Sequence, residues 1–278
     1  MAFVTLADGA EIYYETFGAG MPLVFLHAGL GFDSSYLKNA FLPLAAKAEI
    51  KLVFFDFRGN GKSSRRPTDL EFTVETLVED VEELRSKLEL GRIVLFGHSF
   101  GGVIVQEYAF RFPGKLQGLI LDSTYPAFGA EIFAELERRA SPAEMKNFLE
   151  AFGSPASDDE TFGRAVELVL PLYFHGYDNR KAASFLSEMR FSAAAFNRSG
   201  ELLPIVNTLE KLVKIKTPAL ILAGKNDLFG LAQAGEKMSE KIQNSRSIIF
   251  EQSGHFPFLE EPEKYLKTVA DFVLNLPE

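Results

Sequence analysis

The chain has 278 residues, with 29 Lys and Arg against 38 Asp and Glu, so its formal net charge is −9. Apolar residues make up 47% and charged residues 24%, a balance typical of globular proteins, which excludes a disordered chain. The negative charge disfavours nucleic acid as a partner, because phosphate contacts need a clustered positive surface. There is no Cys, so disulfides, thiolate metal sites and Cys nucleophiles are excluded.

The N-terminal sequence MAFVTLADGAEIYYE carries early acidic residues and does not have the pattern of a signal peptide. The longest uncharged stretch, residues 16–32, is interrupted by Gly and Pro, whereas a membrane helix needs about 20 mostly apolar residues. We therefore expect a soluble, cytoplasmic protein that does not bind membranes. The sequence does not indicate an oligomeric state.

Strand patterns dominate both ends of the chain. The opening VTLADGAEIYYETFG predicts a hairpin around Asp8-Gly9, hence two antiparallel strands at one sheet edge. Six further runs are apolar on both alternating faces, as is typical of parallel strands covered by helices on each side. These runs are PLVFLHAG, KLVFFDFRG, RIVLFGHS, LQGLILDST, PALILAGKND and RSIIFEQSG.

Helical periodicity lies between these runs, at residues 74–88, 103–110 and 265–276. Repeated strand–helix–strand order predicts a mostly parallel sheet. From about residue 126 to 215 strand patterns are missing and helical ones take over, over a length too great for a loop. We predict two core segments, 1–125 and 216–278, separated by a helical cap at 126–215.

The most informative motif is Gly97-His98-Ser99-Phe100-Gly101, which follows the strand IVLF and opens the helix VIVQEYAF. G-x-S-x-G in this context predicts a sharp turn that holds the Ser hydroxyl above the sheet. The helix N-terminus adds backbone N–H groups that can stabilise an oxyanion. Ser99 is therefore the predicted nucleophile.

A serine nucleophile needs a base, and the chain has four His. His98 lies inside the turn itself, His27 follows an early strand, and His175 falls in the predicted cap. His255 follows the last strand, in the chain order Ser, acid, His, and is the predicted base.

Two carboxylates compete for the acid position. Asp227 ends the strand before His255, and Asp122 ends the strand just after the serine helix. Both positions lie at the carboxyl edge of the sheet, where open α/β folds bind ligands. We favour Asp227, with Asp122 as the alternative.

The loop HAGLG after the third strand is predicted to complete an oxyanion hole. One N–H would come from Phe100 and the second from Gly29, with Ala28 as the weaker alternative. We expect His27 to support this loop by hydrogen bonds. The turn DFRGNGKS lacks phosphate-loop spacing, and we interpret it as structural, with Asp56 paired to Arg58.

Five motifs together, GHSFGG, HAGLG, DFRGNGKS, AGKND and SGHFPFLEEPE, resemble those of the α/β-hydrolase superfamily. The resemblance covers residues 1–125 and 216–278. It implies an eight-stranded, mostly parallel sheet with helices on both faces and a helical cap insertion. It also implies a Ser99–Asp227–His255 triad.

Within that superfamily, residues 73–102 and 105–121 are most similar to the proline iminopeptidases, which release an N-terminal proline. Two positions depart from that pattern. The oxyanion loop has HAGLG where those enzymes carry HGGPG, and Ala194-Ala195-Phe196 stands where they place a Glu before a Phe to bind the substrate amine. Glu188 or Glu201 are the alternatives for that carboxylate.

The predicted cap is rich in Phe, and we expect most of these rings to pack in the core and a minority to line an apolar pocket. They are Phe128, Phe133, Phe148, Phe152, Phe162, Phe174, Phe185, Phe191 and Phe196. We predict a serine hydrolase of small carboxylic esters or lactones, acting on a small-molecule substrate without metal or organic cofactor. The alternatives are a proline iminopeptidase and, from another class, a non-catalytic hydrolase-fold binding protein.

Overall fold

The computed structural model of the chain describes residues 2–46, 49–178, 182 and 185–277. Within them eight strands form one sheet in the order β1-β2-β4-β3-β5-β6-β7-β8. The strands are β1 (Ala2–Thr5), β2 (Glu11–Gly18), β3 (Met21–Leu26), β4 (Ile50–Phe55), β5 (Ile93–His98), β6 (Leu116–Asp122), β7 (Ala219–Gly224) and β8 (Ser245–Phe250). Only the β1–β2 and β2–β4 pairs are antiparallel. The predicted hairpin, the six parallel strands and the fold class are confirmed.

Helices follow most of the strands. The α-helices are α1 (Ser35–Phe41), α2 (Val74–Lys87), α3 (Phe100–Arg111), α4 (Ala130–Arg139), α5 (Pro142–Phe152), α6 (Asp159–Val169), α7 (Ala193–Leu202), α8 (Leu231–Lys241), α9 (Pro257–Glu260) and α10 (Pro262–Leu274). Short 3-10 turns occupy Leu42–Ala46, Pro67–Leu70, Pro113–Lys115, Leu170–Tyr173, Leu203–Ile205 and Leu209–Lys214. Among the described residues, no helix combines the length and the apolar character that crossing a membrane requires.

The two faces of the sheet build two cores because side chains alternate along each strand. In β3, Val24 and Leu26 belong to the core that α2, α3 and α8 cover. Leu23 and Phe25 point the other way, into the core that α1 and α10 cover. This two-sided burial explains why the parallel strands read as continuous apolar runs.

Helices α4 to α7 lie between β6 and β7, where the sequence predicts a helical insertion. Gln106 of α3 joins the two ends of this segment: its Nε2 donates to the Tyr125 carbonyl at 3.1 Å, and Thr208 Oγ1 donates to its Oε1 at 2.5 Å. Both side chains are buried. The insertion is thus tied at both ends to α3. Its predicted boundaries, 126 and 215, stay a prediction.

The predicted pairing of Asp56 with Arg58 is wrong. Asp56 accepts hydrogen bonds from Ser34 and from the Lys62 N–H, which shapes its turn. Arg58 instead binds both carboxylate oxygens of Asp80 on α2, at 2.5 and 2.6 Å. The planar guanidinium matches a carboxylate in this two-point geometry, and Asp80 lies too far along the chain for a local pattern to indicate it.

Candidate active site

Ser99 occupies a strained turn between β5 and α3. Its φ is +54° and its ψ −119°, a conformation that non-glycine residues rarely adopt. The glycines on either side allow the close approach of strand and helix: a Cβ on Gly97 would lie 2.5 Å from the Gly101 backbone, and one on Gly101 would lie 2.4 Å from the Leu26 carbonyl oxygen. The motif therefore has the strand–turn–helix context that the sequence predicts.

His255 and Asp227 form a buried hydrogen-bonded pair. His255 Nδ1 lies 2.7 Å from Asp227 Oδ2, and the other Asp227 oxygen accepts the Phe229 N–H at 2.9 Å. The His255 N–H donates to the Tyr173 carbonyl at 2.7 Å. With Nδ1 donating its proton to the carboxylate, Nε2 is left as an acceptor, which is the form that a general base needs.

Asp122, the alternative acid, lies elsewhere. It is fully buried at the end of β6, and among the described residues its carboxylate oxygens have no hydrogen-bond partner. Burial raises the pKa of Asp122 well above its ordinary value. Its nearest imidazole is that of His98, with Asp122 Oδ2 3.9 Å from His98 Nε2. Of the two candidate acids, the structure brings Asp227 to His255.

A cavity of about 700 Å³ opens above the sheet at the carboxyl ends of the strands. Ser99, His255, Phe100 and Gly29 all line it, and Asp227 lies behind His255. The Ser99 hydroxyl makes no hydrogen bond within the part of the chain that the structure describes. Four of the five predicted site residues thus share one cavity, and the fifth is bonded to one of them.

Two backbone N–H groups of the cavity wall are available to a ligand. Phe100 is the first residue of α3, so its N–H has no intrahelical acceptor, and over the described residues neither it nor the Gly29 N–H is hydrogen-bonded. The Ala28 N–H, in contrast, donates to Tyr36 Oη at 2.7 Å. Gly29 is therefore the better of the two predicted loop donors.

The remaining histidines support the site or lie apart from it. His27 accepts the Phe57 N–H at Nε2 and contacts the Ala28 carbonyl through Nδ1, so it braces the HAGLG loop as predicted. His98 Nδ1 lies 2.9 Å from Tyr36 Oη and its Nε2 lies 3.0 Å from the His255 carbonyl oxygen. His175 is exposed in the insertion. Burial lowers the pKa of His98 well below its ordinary value, so this ring is neutral.

Aromatic rings dominate the cavity wall. Contrary to the expectation that only a minority of the Phe residues would line a pocket, most of them do: Phe128, Phe133, Phe148, Phe152, Phe185 and Phe196. Phe162, Phe174 and Phe191 pack among other side chains. The wall also contains Tyr36, Tyr125 and Tyr173, which lie outside the sequence motifs. Of these three, only Tyr125 could have been predicted from the sequence, because it lies just beyond the carboxyl end of a strand, where open α/β folds bind ligands.

No charged side chain lines the cavity within the described residues. Glu188 accepts a hydrogen bond from Asn39, and Glu201 pairs with Arg198, so both alternative carboxylates are engaged outside it. Ala194 is exposed on α7 and Ala195 is buried, and neither can offer a charge. Nor do the described residues contain a cluster of three His, Asp or Glu that could hold a metal ion.

Comparison with known proteins gives three informative similarities. A proline iminopeptidase of Clostridioides difficile is 28% identical, over 95% of this chain and 95% of its own. A proline iminopeptidase of Saccharolobus solfataricus is 29% identical, over 95% of this chain and 89% of its own. An esterase from Exiguobacterium antarcticum, of known structure, has a TM-score of 0.76 and 26% identity, covering 98% of this chain and 99% of its own.

The sequence profile of the alpha/beta hydrolase fold matches residues 21–262 of this chain. The matched region includes the Ser99 turn, the Asp227–His255 pair and the helical insertion. Because the match spans most of the chain and the sheet has the corresponding eight strands, this protein belongs to the alpha/beta hydrolase fold family and is a hydrolase.

Proposed function

We propose that this protein hydrolyses small, uncharged carboxylic esters or lactones through an acyl-enzyme on Ser99. His255 Nε2 removes the Ser99 hydroxyl proton as the oxygen attacks the substrate carbonyl, and Asp227 stabilises the imidazolium that forms. The N–H groups of Phe100 and Gly29 stabilise the oxyanion. His255 then protonates the departing alcohol oxygen, and a water molecule, deprotonated by the same Nε2, releases the acid.

The uncharged aromatic wall of the cavity is the observation that carries the ester assignment. A free N-terminal amine is an ammonium ion near pH 7, and burying it without a carboxylate partner is costly. The cavity offers no such partner among the described residues, since Asp227 lies behind His255 and is bonded to it. An ester without charge incurs no such cost and gains from the aromatic surface.

Proline iminopeptidase activity is the second candidate. It is favoured by the two relatives of that name, which are 28% and 29% identical over nearly the whole chain. The same Ser99 chemistry would serve both reactions, so the two candidates differ in how the substrate amine is bound. Within the described residues the cavity has no carboxylate, and this favours ester hydrolysis.

One pair of substrates distinguishes these candidates. A prolyl aryl ester with a free amine is compared with the same ester after N-acetylation, so that the bond cleaved is the same and only the charge on the nitrogen differs. We expect the acetylated ester to have the higher kcat/KM, because it brings no charge into the cavity. A preference for the free amine, together with hydrolysis of a prolyl arylamide, would establish the peptidase instead.

The nucleophile is tested by labelling with a fluorophosphonate and locating the adduct by peptide mass spectrometry. Ser99→Ala is expected to abolish labelling and lower kcat by several orders of magnitude. Ser123→Ala is the matched control, because Ser123 also follows a strand end with positive φ (43°) and is buried. Normal labelling of the Ser99→Ala protein would refute the assignment. Tight binding of an ester that is returned intact would favour the binding-protein alternative.

A further inference from the structure

Two tyrosines face the cavity from different parts of the fold. Tyr125 follows the end of β6 and so lies at the carboxyl edge of the sheet. Tyr173 ends the 3-10 turn Leu170–Tyr173 of the insertion. Tyr125 is only 6% exposed, whereas Tyr173 is half-buried. Sheet and insertion therefore each contribute one phenol to the same cavity.

Neither phenol hydroxyl has a hydrogen-bond partner within the described residues. A buried tyrosine hydroxyl ordinarily finds one, because an unpaired buried donor destabilises the fold. The Tyr125 oxygen is also not among the polar atoms that are sealed inside the protein, as the Tyr265 oxygen is. The unused hydrogen-bonding capacity of Tyr125 is thus directed at the cavity.

The other polar side chains of the wall are already engaged. Asn197 accepts the Ala156 N–H and donates to the Ala156 carbonyl, at 2.8 and 2.9 Å. Ser199 donates to the Phe196 carbonyl, and Tyr36 is bonded to Ala28 and His98. Among the described lining residues, apart from Ser99, His255 and the exposed Ser154, this leaves the two phenols as free polar side chains.

Tyr173 lies on the side of the cavity where the alcohol leaves. Its ring meets the His255 ring edge-on at a centroid distance of 5.2 Å, and its carbonyl holds the His255 N–H. Because His255 protonates the departing oxygen in the proposed reaction, that oxygen must lie within hydrogen-bonding distance of the imidazole. The ring packed against His255 therefore borders the alcohol part of the substrate.

Both phenols act as neutral donors. Burial raises the pKa of Tyr125 and the neighbouring Tyr173 phenol raises it further. Burial also raises the pKa of Tyr173, as does the nearby Asp227 carboxylate. Protonated phenols in an uncharged cavity favour neutral acceptor oxygens over carboxylates or phosphates, whose charge would remain unpaired.

We propose that the Tyr125 and Tyr173 hydroxyls bind a second, uncharged oxygen in the alcohol part of the ester, such as an ether, hydroxyl or carbonyl oxygen. This inference rests on the proposed ester hydrolysis and deepens it. The favoured substrates are esters of oxygen-bearing alcohols, and a plain alkyl alcohol leaves both phenols without a partner. The two hydroxyls determine specificity and take no part in bond cleavage.

An oxygen scan tests this proposal. Butyrate esters of hexanol are compared with isosteres in which one methylene of the alcohol is replaced by an ether oxygen at successive positions. In the wild type we expect at least one isostere to exceed the hexyl ester in kcat/KM. Tyr125→Phe and Tyr173→Phe should each reduce that advantage about fivefold, the value of one neutral hydrogen bond.

Tyr108→Phe is the matched control, since the Tyr108 hydroxyl is bonded to Glu82 and lies outside the cavity. It should leave the ether preference unchanged. Tyr125→Phe should also keep the wild-type melting temperature, because no protein hydrogen bond is lost.

Three results would overturn the inference. They are the lack of any isostere that exceeds the hexyl ester in the wild type, an ether preference unaltered in both phenol variants, or an equal loss in Tyr108→Phe. The proposed function would survive each of them. Failure to hydrolyse the hexyl ester itself, or failure to label Ser99, would count against the proposed function.

Discussion

Removal of the Tyr36 hydroxyl should disturb the oxyanion loop and His98 together. Tyr36 Oη accepts the Ala28 N–H at 2.7 Å and lies 2.9 Å from His98 Nδ1. His98 Nε2 faces the His255 carbonyl oxygen, so it carries the ring proton, and Nδ1 accepts the Tyr36 proton. The change Tyr36→Phe deletes one oxygen atom and leaves one buried group, His98 Nδ1, and one partly buried group, the Ala28 N–H, without partners.

The magnitude follows from those two groups. His98 is fully buried and Ala28 is partly buried, and an unsatisfied buried donor or acceptor costs about 1–3 kcal/mol. We therefore expect Tyr36→Phe to lower the free energy of unfolding by about 2–4 kcal/mol. Tyr108→Phe removes a single hydrogen bond to Glu82, which keeps its contacts with Arg85, so its cost should be about 1 kcal/mol.

Activity should fall as well, through kcat. Once the Ala28 N–H is unpaired, its peptide can rotate. The Gly29 N–H lies in the next peptide, whose carbonyl oxygen His27 Nδ1 still contacts at 2.9 Å, so it is displaced only in part. Complete loss of one oxyanion donor costs about 10²–10³-fold in kcat, so partial misplacement should cost roughly tenfold with little change in KM.

Urea unfolding and ester kinetics on Tyr36→Phe, Tyr108→Phe and wild type give both quantities. Equal unfolding free energies for the two variants would refute the argument from unpaired groups. A wild-type kcat in Tyr36→Phe would refute the positioning role.

Three further predictions concern the acid, the oxyanion loop and pH. Asp227→Asn should lower kcat about 10⁴-fold by favouring the wrong His255 tautomer, while Asp122→Asn should keep activity, as ester kinetics will show. A Cβ on Gly31 would lie 2.6 Å from a Phe162 ring carbon at a φ of +101°, so Gly31→Ala should lower the unfolding free energy by about 2–4 kcal/mol in urea. Burial lowers the pKa of His27 and of His98 below 6.5, so as pH falls through 6.5 the unfolded chain binds protons that the folded chain does not. The contribution of each histidine to the free energy of unfolding should therefore be complete above pH 6.5 and fall below it by up to about 1.4 kcal/mol per pH unit. The raised pKa of buried Asp122 acts in the opposite direction, so the measurement is the difference in the pH slope of the unfolding free energy between wild type and His98→Gln.

Each of these predictions has its own control. An inactive Asp122→Asn protein with active Asp227→Asn would reverse the assignment of the acid. Gly114→Ala provides the reference for the loop variant, because a Cβ at Gly114 meets no atom within 4 Å and its φ is not positive; equal costs at the two glycines would contradict the packing argument. Equal pH slopes of the unfolding free energy in wild type and His98→Gln between pH 7.5 and 5.5 would show that His98 takes up a proton in the folded state.

Local patterns were sufficient for the sheet and the nucleophile turn. Each strand of the sheet follows from an apolar run or a hairpin signal, because side-chain alternation and turn chemistry act within a few residues. The Ser99 turn likewise depends on glycine spacing within one motif. The structure has the strained, positive φ of Ser99 at the position where the motif predicts the turn.

Choices between distant residues needed the tertiary structure. Asp122 and Asp227 both end strands at the same sheet edge, and only the contact of Asp227 with His255 distinguishes them. Similarly, Arg58 pairs with Asp80 on a different element and not with Asp56. Local sequence does not predict such pairs, because the packing of the whole chain brings the two residues together.

The sequence by itself determined the fold class, the Ser99 turn and the small set of residues from which a triad could be built. Only the tertiary structure decided which acid bonds to His255, that most of the insertion's Phe rings face a cavity, and that Tyr125 and Tyr173 line the same cavity. The physical reason is the distance along the chain over which each feature is determined. Backbone conformation depends on near neighbours in the sequence, whereas a cavity with free hydroxyls forms only where separate elements converge.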